Sequence, residues 1–146
     1  MKHTSALFAL CLLLPTGSSR VSAQTVTVTG TPAPFIVTTA VAGVQPAVIT
    51  NAATTITVNG IQSAMKISAG LNAPMPAGTT LAIQLAALPG ATSVGKVSLS
   101  TTVVMLEYDI QNDGTAGITY TFTATAAAGV IPSQSRLVTF TLANYP

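Results

Sequence analysis

Residues 117–125 have the sequence Gly-Ile-Thr-Tyr-Thr-Phe-Thr-Ala-Thr, with threonine at every second position from Thr119. Side chains of a strand point alternately to the two faces of a sheet, so Ile118, Tyr120 and Phe122 share one face and the threonines share the other. β-Branched and aromatic residues also favour strands. The segment predicts a strand with one apolar face and one hydroxylated face.

The same period of two recurs along most of the chain. Strands are predicted for residues 24–29, 35–41, 47–50, 54–58, 61–68, 79–86, 96–100, 103–110, 117–125 and 136–142. Turn-forming residues separate these segments, and no helix of useful length fits between the turns. We expect an all-β fold of seven to nine strands, an antiparallel β-sandwich of the Ig-like or pilin-like kind, with a small barrel as the alternative.

Two of the turns predict hairpins. Asn59-Gly60 is the shortest turn signal in the chain and joins the strand segments on either side of it. Asn112-Asp113-Gly114 joins the predicted strand segments 103–110 and 117–125. In this second turn we expect the Asn and Asp side-chain oxygens to accept hydrogen bonds from nearby backbone N–H groups, and Gly114 to supply a positive φ.

The first 23 residues have the three parts of a secretory signal peptide. Lys2 and His3 form the charged start, residues 6–14 form an unbroken apolar core, and Val21-Ser22-Ala23 forms a small-x-small cleavage site. The apolar core is far shorter than the ~20 residues of a membrane-spanning helix. We therefore expect a secreted protein, in the periplasm, on the outer surface or outside the cell, that does not span a membrane.

This assignment divides the chain into a signal peptide at residues 1–23, an N-terminal strand and linker at 24–34, and a β-sandwich domain at 35–146. The only histidine, His3, and the only cysteine, Cys11, lie in the signal peptide. The rest of the chain therefore offers no disulfide, no thiolate metal site and no histidine base. We expect no cofactor.

Residues 24–146 have no net charge. Three cations, Lys66, Lys96 and Arg136, balance three acids, Glu107, Asp109 and Asp113. Three scattered cations cannot follow a phosphate backbone, so we expect no nucleic-acid partner. A surface with so little charge favours self-association, because nothing repels a second copy. The expected partners are other copies of the chain or other envelope proteins.

The acidic residues cluster around one loop. Asp109-x-Gln111-x-Asp113 is similar to the first half of a calcium-binding loop, in which oxygens at alternate positions converge on the ion. The position where such a loop has a bidentate Glu is Tyr120. The sequence therefore leaves two interpretations, a plain turn, which we prefer, and a weak calcium site at Asp109, Gln111 and Asp113.

No enzyme is predicted. Glu107 and Asp109 are two residues apart and would share a strand face, with Tyr108 on the other. A glycosidase needs its two carboxyl groups on opposite sides of a bond in a cleft. A serine nucleophile would have no histidine base in residues 24–146.

Two segments resemble bacterial envelope β-sandwich proteins of the spore-coat-U and fimbrial-subunit kind. They are residues 74–81, Pro-Met-Pro-Ala-Gly-Thr-Thr-Leu, and residues 133–142, Ser-Gln-Ser-Arg-Leu-Val-Thr-Phe-Thr-Leu. The penultimate Tyr145 is also similar to the end of such subunits, whereas their usual Cys pair is absent. In subunits assembled by a chaperone and an usher, an N-terminal strand completes the sandwich of the next subunit.

The resemblance implies that residues 24–29 leave their own domain and insert Val26 and Val28 into a neighbour. The alternative is that this segment is the first strand of its own sheet, because alternation alone does not specify the partner. We expect a secreted, non-enzymatic structural or adhesive surface protein, fimbria-like, that assembles by strand addition.

The alternative function is a small carbohydrate-binding or calcium-assisted recognition module. The acidic loop and the threonine faces favour it, since a hydroxyl ladder could bind sugar or ice. The same faces are also explained by solvent exposure or by a subunit contact. Aromatic platforms for sugar rings are limited to Tyr108, Tyr120 and Tyr145, because the chain has no Trp.

Overall fold

The computed structural model describes residues 23–37 and 48–146. The strands in these residues are β1 Thr25–Thr29, β2 Ile49–Asn59, β3 Met65–Leu71, β4 Thr79–Leu85, β5 Thr92–Ser93, β6 Lys96–Ser98, β7 Val104–Ile110, β8 Gly114–Ala124 and β9 Val138–Asn144. A short 3-10 helix, Ala126–Ala128, lies between β8 and β9. Within the same residues, no helix has the length and apolar character needed to cross a membrane. The predicted signal peptide, except Ala23, lies outside the described residues.

The strands form two antiparallel sheets. The five-stranded sheet has the order β1-β2-β8-β4-β6, and the four-stranded sheet has the order β5-β7-β3-β9. All pairings are antiparallel. The predicted all-β antiparallel β-sandwich is confirmed.

The core lies between the two sheets. Ile56, Ile83 and Ile118 of the five-stranded sheet are fully buried, and so are Ile67 and Leu106 of the four-stranded sheet. Full burial of an aliphatic side chain contributes about 1.5–3 kcal/mol, so these central strands supply most of the stability. The predicted apolar face of β8 is part of this core, since Tyr120 is also buried.

Three predicted strands differ from the structure. The predicted strands 47–50 and 54–58 correspond to a single strand, β2 Ile49–Asn59, with a register shift between Asn51 and Thr54, and residue 47 lies outside the described residues. Residues 35–37, the described part of predicted strand 35–41, form no strand. Phe35 instead stacks on Phe122, with ring centroids 5.8 Å apart.

Both predicted hairpins are wrong. β2 and β3 flank Asn59-Gly60 but lie in different sheets, and so do β7 and β8, which flank residues 112–114. These turns are corners that carry the chain across the sandwich. A turn signal shows only that the chain reverses, and strands that cross between sheets alternate in the same way as strands that pair.

β7 contains two irregularities in its pairing with β3. Its register shifts on both sides of the Ile67–Glu107 pair, and Asp109 has a φ of 56°. Extra residues in a strand interrupt its alternation. As a result the neighbours Leu106 and Glu107 are both fully buried. The prediction that Glu107 and Asp109 share a regular strand face is therefore wrong.

Candidate functional site

The predicted assembly residues lie in β1, which pairs with β2 of the same chain. Val26 is opposite Val58, and Val28 is opposite Ile56. Val26 packs against the core, whereas Val28 is 41% exposed. In the single chain β1 is thus the first strand of its own sheet, as the alternative interpretation predicted. Insertion of Val26 and Val28 into a second copy stays a prediction.

β1 and β9 form one side of the sandwich. β1 is the last strand of the five-stranded sheet and β9 the last strand of the four-stranded sheet. The two strands contact each other across the sandwich. In the described part of the chain no further strand pairs with either of them. We call the outer edges of β1 and β9 the open side.

Within residues 23–37 and 48–146, the two strands of the open side lack the usual protection of a sheet edge. Proteins protect edge strands with lysine, proline, bulges or very short strands. β1 is Thr-Val-Thr-Val-Thr and β9 is Val-Thr-Phe-Thr-Leu-Ala-Asn, without charge or proline. β9 also pairs with β3 over seven consecutive residues without a register shift. Its outer edge is therefore a long regular template for another strand.

The core is incompletely covered next to the open side. The inward residues of β9, Val138, Phe140 and Leu142, are only half-buried. Their register partners on the neighbouring strand β3, which are Leu71, Ala69 and Ile67 in the same order, are all buried. An added strand would cover apolar surface that the single chain leaves partly in water.

The opposite side, which we call the closed side, ends in β5 and β6. These strands have two and three residues, and β6 begins with Lys96. Side chains fix the connections around them. The Ser93 hydroxyl donates to the Leu85 carbonyl over 2.6 Å, and the Asn112 amide donates to the Pro89 carbonyl over 3.3 Å.

Glu107 contributes the most buried polar contact of the closed side. Its Oε1 accepts a 2.5 Å hydrogen bond from the Leu88 backbone N–H, while its Oε2 has no partner in the described residues. Burial raises the pKa of the Glu107 carboxyl, and the Leu88 N–H opposes this rise to a smaller extent. Sequence reasoning missed this contact because the irregular β7 register that turns Glu107 inward has no local signal.

The acidic loop holds two connections in place. Asp113 Oδ1 accepts from the Ile61 backbone N–H over 2.8 Å, and the N–H groups of Ile61 and Gly60 lower the pKa of the Asp113 carboxyl. Asp109 Oδ1 instead accepts from Gln111 Nε2 over 2.8 Å. The described residues contain no group of three or more acidic, histidine or cysteine side chains able to hold a metal ion.

The expected positive φ of Gly114 is wrong. In this loop region Asp109, rather than Gly114, has the left-handed conformation. Gly114 is required for space, because a Cβ there would lie 2.7 Å from Pro89 Cδ. The predicted Asp-to-backbone bond does exist for Asp113, but its donor is in the β2–β3 corner rather than in the same turn.

Threonines line part of the outer surface of the five-stranded sheet, although Thr121 of the predicted hydroxylated face is buried. Thr27, Thr57 and Thr115 are in register across β1, β2 and β8. The Thr57 and Thr115 hydroxyls hydrogen-bond each other over 2.8 Å, and Thr80 and Thr123 form a similar pair. Neighbouring strands of a sheet rotate by about 20–25°, so five strands do not present a flat lattice. This curvature argues against the ice-binding interpretation.

The three tyrosines have separate roles. Tyr120 is in the core, and burial raises the pKa of its phenol. Tyr108 and Tyr145 are half-buried on the other sheet, with ring centroids 5.2 Å apart and planes inclined by 37°. The sequence analysis named all three tyrosines as possible sugar-stacking residues. The alternation of residues along each strand could not predict that the Tyr108 and Tyr145 rings contact each other.

The chain matches no family model, no curated protein and no solved structure. The resemblance carried by residues 74–81 and 133–142 therefore stays a prediction.

Proposed function

We propose that this protein is a secreted, non-enzymatic structural or adhesive protein of the cell surface that assembles with copies of itself by strand addition at the open side. The observation that carries the proposal is the pair of unprotected edges, β1 and β9, beside each other on one side of the sandwich. The other side ends in short strands.

Two energetic terms favour assembly there. A strand added along β9 would pair backbone groups that its outer edge leaves without a strand in the described chain. It would also cover Val138, Phe140 and Leu142, and burial of apolar surface contributes roughly 25 cal/mol per Å². Residues 24–146 have equal numbers of acidic and basic side chains, so copies do not repel each other.

β1 is the strand most suited to donation. Four of its five residues are exposed, and it has a strand neighbour on one side only. If β1 of one copy replaces that of another, Val26 and Val28 make the same contacts with Val58 and Ile56 of the second chain. Such an exchange loses no native contact, which makes it a low-cost route to assembly.

The first test compares charged substitutions on the two sides. Size-exclusion chromatography with light scattering, over a range of concentrations, should show oligomers of the protein without residues 1–23. Thr27→Lys combined with Thr141→Lys places charge on both exposed edges of the open side and should abolish strand addition along these edges without changing the melting temperature, whereas exchange of β1, which leaves Thr27 exposed, should persist. Ser98→Lys, on the exposed edge of the closed side, is the matched control and should leave the oligomers intact. A wild-type protein that stays monomeric at all concentrations would overturn the proposal.

A second test asks which chain receives β1. Thr27 and Thr57 are register partners, and residues 24–146 contain no cysteine. In Thr27→Cys with Thr57→Cys, strand donation should produce disulfide-linked chains on a non-reducing gel. A disulfide within each chain, in a sample that is still oligomeric, would assign assembly to the β9 edge and exclude donation by β1.

A carbohydrate-binding module is the second candidate function. The specific observation in its favour is the Tyr108–Tyr145 pair, since paired half-buried rings give an amphipathic contact surface. The calcium-assisted form has less support, because Asp109 and Asp113 each use a carboxylate oxygen within the protein.

A further inference from the structure

The Tyr108–Tyr145 pair joins two strands that are not neighbours. β3 lies between β7, which contains Tyr108, and β9, which ends one residue before Tyr145. Adjacent strands are about 4.7–4.9 Å apart, so the two backbones are separated by roughly twice that distance. The ring centroids are nevertheless only 5.2 Å apart. The rings therefore lean towards each other over β3 and make one aromatic surface.

The local backbone explains this meeting. The Tyr145 N–H donates to the Ala64 carbonyl over 2.9 Å, which ties the chain end beside the segment that leads into β3. On the other side, the irregular stretch of β7 with left-handed Asp109 follows Tyr108 directly. Both tyrosines remain half-buried, so part of each side chain is accessible to a ligand.

A shallow polar recess of about 380 Å³ lies close to the backbone of both tyrosines. It is lined by Ile61, Gln62, Ser63, Ala64 and Gln111. The Ala64 carbonyl accepts from the Tyr145 backbone N–H, and Gln111 follows Tyr108 by three residues and donates to Asp109 over 2.8 Å. Two carboxamides and a hydroxyl thus line a recess next to the segments that hold the two rings.

This combination selects a class of ligand. Small-ligand sites combine apolar or aromatic contact with a few polar groups that fix orientation. A sugar ring fits such a site, because its C–H face packs on an aromatic ring while its hydroxyls bond amides and carboxylates. An anionic ligand is disfavoured by Asp109, and Lys66 is the single cation on β3. We propose that Tyr108, Tyr145 and the recess beside them bind an uncharged sugar unit of a neutral polysaccharide.

The proposal rests on the second candidate function, carbohydrate binding, and does not depend on strand addition. Its test is electrophoresis of the protein through native gels that contain hydroxyethylcellulose, glucomannan or dextran. We expect one of these polysaccharides to retard the protein. Tyr108→Ala and Tyr145→Ala should each weaken the interaction about tenfold or more, whereas Tyr108→Phe and Tyr145→Phe, which keep the rings, should lose much less. Circular dichroism checks that each variant is folded.

The control variants and the alternative outcomes of this experiment separate sugar binding from assembly and from peptide binding. Thr141→Lys, on β9, should abolish strand addition along that edge but not retardation, so the two proposals fail separately. No retardation by any of the three polysaccharides would overturn the sugar site. Retardation that both alanine variants retain would place sugar binding elsewhere and would also overturn it. Binding to immobilised polyproline without binding to polysaccharide would reassign the rings to a proline-rich peptide.

Discussion

The open and closed sides of this sandwich differ in what holds their edge strands in place. At the closed side, short strands are fixed by side chains, with Glu107 bound to the Leu88 backbone and Asn112 bound to the Pro89 backbone. At the open side, β1 and β9 are held by strand pairing to one neighbour each. The difference indicates that low charge alone does not mark an association surface. The two sides differ in how their edge strands are covered, since only the open side combines longer uncharged edge strands with half-buried apolar side chains.

The largest expected effect compares two register partners in the core. Ile67 on β3 is completely buried, and Leu142 on β9 is half-buried opposite it. Ile67→Ala should lower the free energy of unfolding by about 2–5 kcal/mol, because it leaves a cavity. Leu142→Ala should cost less than half of that in the monomer. Urea denaturation measures both, and equal losses would mean that the core is already complete at the open side.

The second prediction concerns the packing of the closed side. A Cβ on Gly114 would lie 2.7 Å from Pro89 Cδ, whereas a Cβ on Gly117 of the same strand meets nothing within 4 Å. Gly114→Ala should therefore destabilise the protein by about 1–3 kcal/mol through overpacking. The matched control, Gly117→Ala, should be nearly neutral. A neutral Gly114→Ala, seen by thermal melting, would show that the Pro89 connection is loosely held.

The third prediction is the pH dependence of the closed side. Burial raises the pKa of Glu107, so its contribution to stability is fully present below its ordinary pKa and is lost as pH rises through the folded-state pKa. The pKa of Asp113 is lowered, so its contribution is present above its ordinary pKa and is lost on acidification. The urea midpoint can be measured between pH 3 and 8, roughly the range of carboxyl titration. As pH rises, the midpoint of Glu107→Gln should fall less steeply than that of the wild type. Asp113→Asn should flatten the acidic side instead.

The smallest expected effect is that of calcium. Asp109→Ala should change the melting temperature little, and saturating calcium should leave that of the wild type unchanged, because Asp109 and Asp113 already bind partners in the protein. If calcium instead raised the melting temperature by several degrees and Asp109→Ala abolished this rise, the acidic loop would be a calcium site, independent of the open and closed sides.

The sequence predicted the strands well because their alternation reflects which face is buried. Ile118 and Tyr120 are in the core as the period of two requires. It could not predict which strands pair, since Asn59-Gly60 turns the chain equally well within a sheet or between sheets. The burial of Glu107 and the approach of Tyr108 to Tyr145 depend on contacts between distant segments, for which a local pattern has no signal.

The position of β8 has a consequence for how the chain folds. β8 is the last strand of its sheet in sequence, yet it lies in the middle of the sheet, between β2 and β4. Until residues 114–124 are present, β2 and β4 have no common neighbour, and the five-stranded sheet cannot close. Pairings between distant segments fold slowly. During synthesis β2 and β4 therefore stay without their shared neighbour, with their strand edges exposed, until β8 arrives.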